Sequence, residues 1–351
     1  MLLAYALAAE RAARPEYDEN SFGSAVFQVS YQLDPGRGTS RVVFGPGADE
    51  SQWPEITVGD VARRLSNVPL PEVTALDLRS ALVDAVDAAR YWQDPEGEDI
   101  LVATMAVRQA LRRVAGRIAR SPHAQWWGTG VARDDQWAVV WDSEGETTVQ
   151  PPVEERLRAW HARVVEHEAR AERDRPTDPT SNWSGEWWSP PLTHLSASAR
   201  TLADGNPAGL WFVEDSMGWE RAFTRRVHVP PGIEVCEIDG ADAWADLCRR
   251  FPLEVTAEKR HDWYRTTGRD GRWVIPDWQA VASEYGGVHL TVAGYLVAAG
   301  TAIAVDDGTA SVIAGWAPDE TFWLTDTVVP GDSSVAWVRD DRVWIREPHT
   351  P

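Results

Sequence analysis

The sequence predicts an α+β fold in two domains, the second built mainly on an antiparallel or mixed sheet with short helices. Three observations carry this reading. Apolar residues recur at helical spacing between 75 and 120, and short β-like runs dominate after 180. Between them a charged helix runs into RPTDPTSN, where two prolines forbid continuation. The expected division is a first α+β domain with a helical hairpin over 1–146, a charged helix and linker over 147–180, and a tryptophan-rich α+β domain over 181–351. A chain of 351 residues, 43% of them hydrophobic, is long enough to bury two cores.

In chain order, MLLAYALAAERAA reads as a short surface or docking helix; it lacks the basic n-region of a signal peptide and reaches Glu10 and Arg11 almost at once. Residues 24–33 (SAVFQVSYQL) alternate Val26, Gln28, Ser30 and Gln32 against Phe27, Val29, Tyr31 and Leu33, which predicts a half-buried strand. With a second strand over 41–44 it would form a hairpin. Thr74 caps a helix over 75–92 carrying Leu78, Leu82, Val86 and Ala89. A second helix over 100–120 puts Val107, Leu111, Val114 and Ile118 on one stripe, ringed by arginines expected to pair with carboxylates. These two helices are expected to pack together. Trp137, Val139 and Trp141 share one face of a strand, and a helix over 152–174 carries Leu157, Trp160, Val164 and His167 as a narrow apolar stripe.

In the second half, 192–196, 209–214, 227–229 and 233–238 read as strands. Residues 240–251 form a helix with Trp244, Leu247 and Phe251 inward, and a short helix spans 276–285. Residues 301–305, 311–316, 321–325 and 334–345 read as β segments.

Composition narrows the function. Thirty-four Lys and Arg against 54 Asp and Glu give a formal charge of −20, which argues against binding a nucleic-acid backbone and leaves a small-molecule ligand or a basic protein partner. No apolar run approaches a membrane span, so a cytoplasmic protein is expected. Cys236 and Cys248 are too few for a disulfide framework, and His161 and His167 stand six apart, so no metal is expected. Nucleotide-loop, zincin and hydrolase signatures are absent. Twenty tryptophans supply large apolar faces, each with an N–H that needs a partner, suited to a core, a pocket wall or a contact surface.

One ordered pattern remains. It runs through Thr193-His194-Leu195-Ser196, Gly209-Leu210-Trp211, Gly218-Trp219, Ile275-Pro276-Asp277-Trp278, Tyr285-Gly286-Gly287-Val288, Gly315-Trp316 and Phe322-Trp323-Leu324. This succession, over about 190–326, resembles a family of uncharacterised bacterial and phage domains. More distantly it is similar to ADP-ribosyltransferase-like folds, although the Ser-Thr-Ser motif and Gln-x-Glu pair of their better-known branches are missing. That resemblance implies NAD as cofactor, held by His194, Ser196 and Trp211, with Tyr285 stacking on the nicotinamide and Glu320 as the catalytic acid beside an oxocarbenium-like centre. The residues also admit structural roles: His194 as a strand residue bonded to backbone, Tyr285 as a core aromatic, Asp319 and Glu320 as solvated loop acids. Two other functions fit the composition, an acidic partner-binding protein such as an antitoxin or immunity protein, and a small-molecule enzyme with an aromatic-walled pocket.

Overall fold

The computed structural model describes residues 1–16, 18–39, 55–142, 150–191, 194–214, 216 and 218–347. The strand expected at 41–44, the boundary at 146/147 and Thr193 lie outside the described residues. The protein is α+β, and its chain divides into two units, Met1–Ala85 with Asp94–Trp126, and Val86–Gln93 with Trp127–Pro351.

The first unit is helical among its described residues. Helix α1 (Leu2–Ala13) buries Leu3, Tyr5, Ala6 and Ala9, so it is a core helix and not the surface helix its sequence suggested. Residues 24–33 are not a strand but part of helix α2 (Phe22–Leu33). Phe22, Ala25, Val26 and Val29 bury one face at spacings of three and four, a period that the alternating pattern of the same run had masked. Its start is doubly capped: Ser21 Oγ accepts from Ser24 N, and the Glu10 carboxylate accepts from Phe22 N and Gly23 N, each at 2.7 Å. Glu10→Ala would leave two helix-end N–H groups unpaired, and a loss of about 1–2 kcal/mol in urea unfolding is expected.

Helix α3 (Val58–Ser66) has no counterpart in the sequence reading. Helix α4 (Ala75–Asp87) begins as expected, with Thr74 and Asp77 exchanging hydrogen bonds. The helix expected over 100–120 is two, α5 (Gly97–Ala103) and α6 (Met105–Ala119). They break where Thr104 turns extended and its Oγ1 donates to Leu101 O at 2.7 Å. The predicted stripe of Val107, Leu111, Val114 and Ile118 is buried. Its most extensive neighbour is α3 rather than α4, and the arginine band explains the choice. Arg113 donates to Leu65 O and Val68 O, and Arg117 to Pro71 O, so these cations satisfy carbonyls at and beyond the end of α3 instead of pairing with carboxylates.

Among its described residues the second unit holds three four-stranded sheets. One is antiparallel, in the order β1 (Gln136–Trp141), β3 (Arg221–His228), β11 (Val329–Asp340), β12 (Val343–Arg346). The next runs β2 (Ala197–Ser198), β10 (Thr321–Trp323), β7 (Gly287–Leu290), β4 (Val235–Ile238), with β4 and β7 parallel. The last runs β5 (Pro252–Glu254), β6 (Arg272–Pro276), β9 (Thr309–Ser311), β8 (Ile303–Ala304). The run 209–214 is a 3-10 turn at Ala208–Leu210 followed by loop, because Trp211 N and Phe212 N both return to Ala208 O. Beyond Ser311 the chain leaves its sheet, and Ala314 and Ser189 exchange backbone and hydroxyl bonds instead.

Helix α7 (Val153–Asp174) buries Leu157, Trp160 and Val164 as expected, yet it is no free connector. It packs against α9 (Thr256–Thr267) and α10 (Trp278–Val281). Its Glu168 caps α9 at Ala257 N and Glu258 N, and Arg175 just beyond its end pairs with Glu258. The α9 helix escaped the sequence reading because its buried positions are largely polar: Glu258, Lys259, His261 and Asp262 are each at most 5% exposed. Lys259 Nζ donates to Glu186 O and Trp188 O, and Asp262 accepts from Ser184 Oγ and Gly185 N, which fastens 184–188 to this helix.

Tryptophan forms much of this core. Trp244, Trp278 and Trp316 pack against one another at 5.9–6.1 Å, with Phe322 edge-on to Trp316. Four of the buried indoles find these acceptors: Trp244 on Ser311 Oγ, Trp278 on Ser189 O, Trp316 on Glu320 O, Trp323 on Ser198 Oγ. Helix α8 (Ala241–Arg250), read correctly from Trp244 and Leu247, supplies one wall. No described helix is long and apolar enough to cross a membrane.

Candidate functional site

A cavity of about 280 Å³ opens within the second unit, walled by Trp137, Val139 and Trp141 of β1 on one side. The 209–214 turn, β2 and the 315–322 turn close it on the others, with Phe212 and Phe322 as further aromatic walls. The face that alternation assigned to β1 is therefore the face turned to the cavity. Trp141 is stacked on Trp219 at 4.7 Å and packed on Trp344 at 5.8 Å, so its ring has little freedom.

Two carboxyl groups line the same cavity, Glu214 and Glu320. Glu214 Oε2 accepts from Gly315 N at 2.6 Å, while its Oε1 is buried without a partner. Burial pushes the Glu214 carboxyl up to about 8, against the pull of Tyr295 and the Gly315 N–H, with the Glu320 charge adding to the rise. Burial likewise pushes Glu320 up to about 7, opposed by the Ala317 N–H. Near neutral pH the pair therefore carries at least one proton, and it titrates as a unit. Behind Glu214 stands Tyr295 of helix α11 (Val292–Ala298), its hydroxyl 3.4 Å from that of Tyr91. Burial, then Glu214 and Tyr91, hold the Tyr295 phenol well above its usual value.

The turn carrying Glu320 is rigid for reasons that lie in its neighbour. Asp319 adopts φ +66, is 1% exposed, and accepts from Arg200 Nε at 2.7 Å and Arg200 N at 3.0 Å. Its Oδ1 also meets His289 Nε2 at 3.3 Å, and His289 Nδ1 meets Glu237 Oε2 at 2.5 Å. Burial would lower the His289 pKa, but the hydrogen bonds to Asp319 and Glu237 outweigh it and hold the ring above its usual value. Arg200, Asp319, His289 and Glu237 thus form an alternating row of charge beside β2 and across β7 and β4, buried at Asp319 and His289. Backbone bonds from Asp319 N to Leu290 O and from Leu290 N to Glu320 O finish the clamp. Neither Asp319 nor Glu320 is a solvated loop acid. Gly315, which presents its N–H to Glu214, sits at φ +78 with a Cβ position 2.8 Å from Trp188 Cβ, so only glycine fits.

Of the residues singled out from sequence, Glu320 lines the cavity and the others do not. His194 is exposed at φ +54, and its carbonyl accepts from Arg156. Ser196 precedes β2, with its carbonyl bonded to Trp323 N. Trp211 packs against the cluster of Leu210, Ala222, Trp337 and Trp344. Tyr285 is paired with Arg250 on the far side of α10 in sequence, its hydroxyl accepting at 2.7 Å. Glu214, Trp137, Trp141 and Phe212 were not singled out as site residues. Glu214 ends the GLWFVE run, and an acid closing so apolar a segment was the available signal. Among the described residues no group of three or more His, Cys, Asp or Glu is placed to hold a metal ion.

Comparison with protein-family models, with curated proteins and with solved structures finds no match. The class that fold and site define is an α+β protein with an aromatic-walled, two-carboxyl cavity.

Proposed function

We propose that this cavity binds a small nucleotide-like ligand by its nucleoside end, with the nicotinamide ribose of NAD as the candidate. Glu320 then stabilises the positive charge that develops at the anomeric carbon as the glycosidic bond breaks. The observation that carries this reading is the convergence of two carboxyls with four aromatic side chains on one small cavity. Flat rings stack on indole and phenyl faces, and a carboxylate beside an oxocarbenium-like centre lowers its energy most where water is excluded. Near neutral pH the pair holds at least one proton, so one carboxyl can serve as the anion while the other keeps a proton to donate.

The likeness to ADP-ribosyltransferase-like folds supports this reading through Glu320 alone. Recognition falls to Trp137, Trp141, Phe212 and Phe322 in place of His194, Ser196, Trp211 and Tyr285. No Lys, Arg or His lines the cavity among the described residues, so a pyrophosphate would lie outside it. The partner-binding alternative draws less support, since Trp187 packs on Trp92 and Trp188 and leaves Trp183 as the exposed ring of that group.

The test is a titration with nicotinamide riboside and NAD followed by intrinsic fluorescence, with a nicotinamide-release assay on the wild type and Glu320→Gln. Both ligands are expected to quench, and release is expected to fall at least about a hundredfold in the variant. No quenching by either at millimolar concentration would remove the reading in favour of a partner-binding protein.

A further inference from the structure

We propose that the cavity is selective for positive charge: its occupant is a small organic cation, a flat ring cation or a compact ammonium, and its entry expels a proton from the Glu214 and Glu320 pair. This rests on the cavity being a small-molecule site, but not on any bond being broken there.

The lining is one-sided in charge. Trp137, Trp141, Phe212 and Phe322 offer aromatic faces, whose negative quadrupoles attract cations, and the ionisable groups beside them are both acids. Glu214 Oε1 is buried with no hydrogen bond of standard geometry, while Oε2 is held by Gly315 N–H and the Tyr295 hydroxyl, which is uncharged, stands against the carboxyl. A buried carboxyl oxygen left open, protonated or not, costs free energy unless a ligand supplies a partner or a compensating charge. Two cations next to lining residues are already committed. Arg226 lies over Trp137 at 5.6 Å but does not line the cavity, and Arg200 is bound to Asp319.

The groups facing the pair are few. Tyr295 of α11 stands against Glu214 with Tyr91 behind it, Gly315 N–H meets Glu214, and Ala317 N–H meets Glu320. None brings a positive charge to offset the burial of the anionic forms, so the unoccupied pair holds a proton. A cation entering the cavity takes over that task. The carboxylic acid O–H bond breaks, its electrons stay on the carboxylate, and the proton passes to solvent buffer. A neutral ring of the same shape supplies no such compensation, and an anion is repelled.

The experiment compares 1-methylnicotinamide, a ring cation, with neutral nicotinamide and anionic nicotinate, and adds tetramethylammonium as a compact cation. Calorimetry in phosphate and in Tris reads the protons released. The expected result is binding of one or both cations at least about tenfold tighter than nicotinamide near pH 7, with proton release in both buffers and weaker binding near pH 5. Glu214→Gln and Glu320→Gln, close in shape to the native side chains, should each reduce both the preference and the release. Their folding is checked by near-ultraviolet circular dichroism from the tryptophan core. Equal or tighter binding of nicotinamide, no proton release, or no binding of either cation at millimolar concentration would each overturn the proposal. Cation binding without any release of nicotinamide from its riboside would leave it standing and remove only the enzymatic reading.

Discussion

Replacing Glu320 by glutamine is expected to stabilise the protein above about pH 8 and to leave its stability unchanged near pH 4. The native carboxyl titrates near 7 in the folded state, raised from its ordinary 4.5 by burial. Between those values the folded chain holds more protons than the unfolded one, so stability falls as pH rises across that window and is flat above it. A rise of this size corresponds to about 3 kcal/mol, and losing the Glu320 charge also relieves Glu214, so a gain of about 3 kcal/mol or more is expected for the single variant at pH 9. Glu214→Gln should behave alike over a window reaching about 8. Urea unfolding of wild type and both variants near pH 4, 7 and 9 measures it. A glutamine variant less stable than wild type at pH 9 would show that the acid is held by partners the structure does not contain. A residue that lowers stability at working pH is expected where function, rather than folding, dictates its identity.

Asp319→Ala should have the opposite and larger effect, a loss of about 3–5 kcal/mol, because it takes the carboxylate from a largely buried guanidinium, which keeps Thr129 Oγ1 and Gly130 O, and removes an acceptor from a buried imidazole. The same change should lower the His289 pKa, since an acceptor that favours its charged form is gone. Proton NMR of the imidazole and denaturant unfolding read the two effects separately. The raised His289 pKa contributes stability that is full below its ordinary value and is lost as pH rises through the folded value. In Asp319→Ala that slope should flatten. A loss below about 1 kcal/mol would mean that the row from Arg200 to Glu237 does not hold the turn.

Much of the second unit was legible because its signals are local. The face of Trp137, Val139 and Trp141, the α8 stripe, the α7 stripe and the need of each indole for an acceptor all follow from spacing or from side-chain chemistry. Residues 24–33 failed because their apolar positions satisfy a period of two and a period of 3.6 alike. Favouring the helix are its caps, Ser21 and the Glu10 carboxylate, which accepts from Phe22 N twelve residues away. Helix α9 failed because its buried positions are charged, and a periodicity of apolar residues cannot reveal a helix buried through ion pairs and capping bonds. The site was half legible. Glu320 stood out through a resemblance, whereas Glu214 became its partner only when the 209–214 run turned instead of extending. Whether an acid is solvated or buried depends on elements over a hundred residues away, as the bond from Gly315 to Glu214 shows.

The central claim is that Glu214 and Glu320 face one cavity and share protons near neutral pH. Carboxyl carbon NMR of protein labelled at the glutamate side chains, with the two signals assigned through the glutamine variants, tests it most directly. The account predicts titrations with midpoints near 7 and 8, the Glu214 midpoint falling when Glu320 is replaced and the Glu320 midpoint staying near 7 when Glu214 is replaced. Two independent midpoints below about 5, in the range of solvated glutamates, would contradict it.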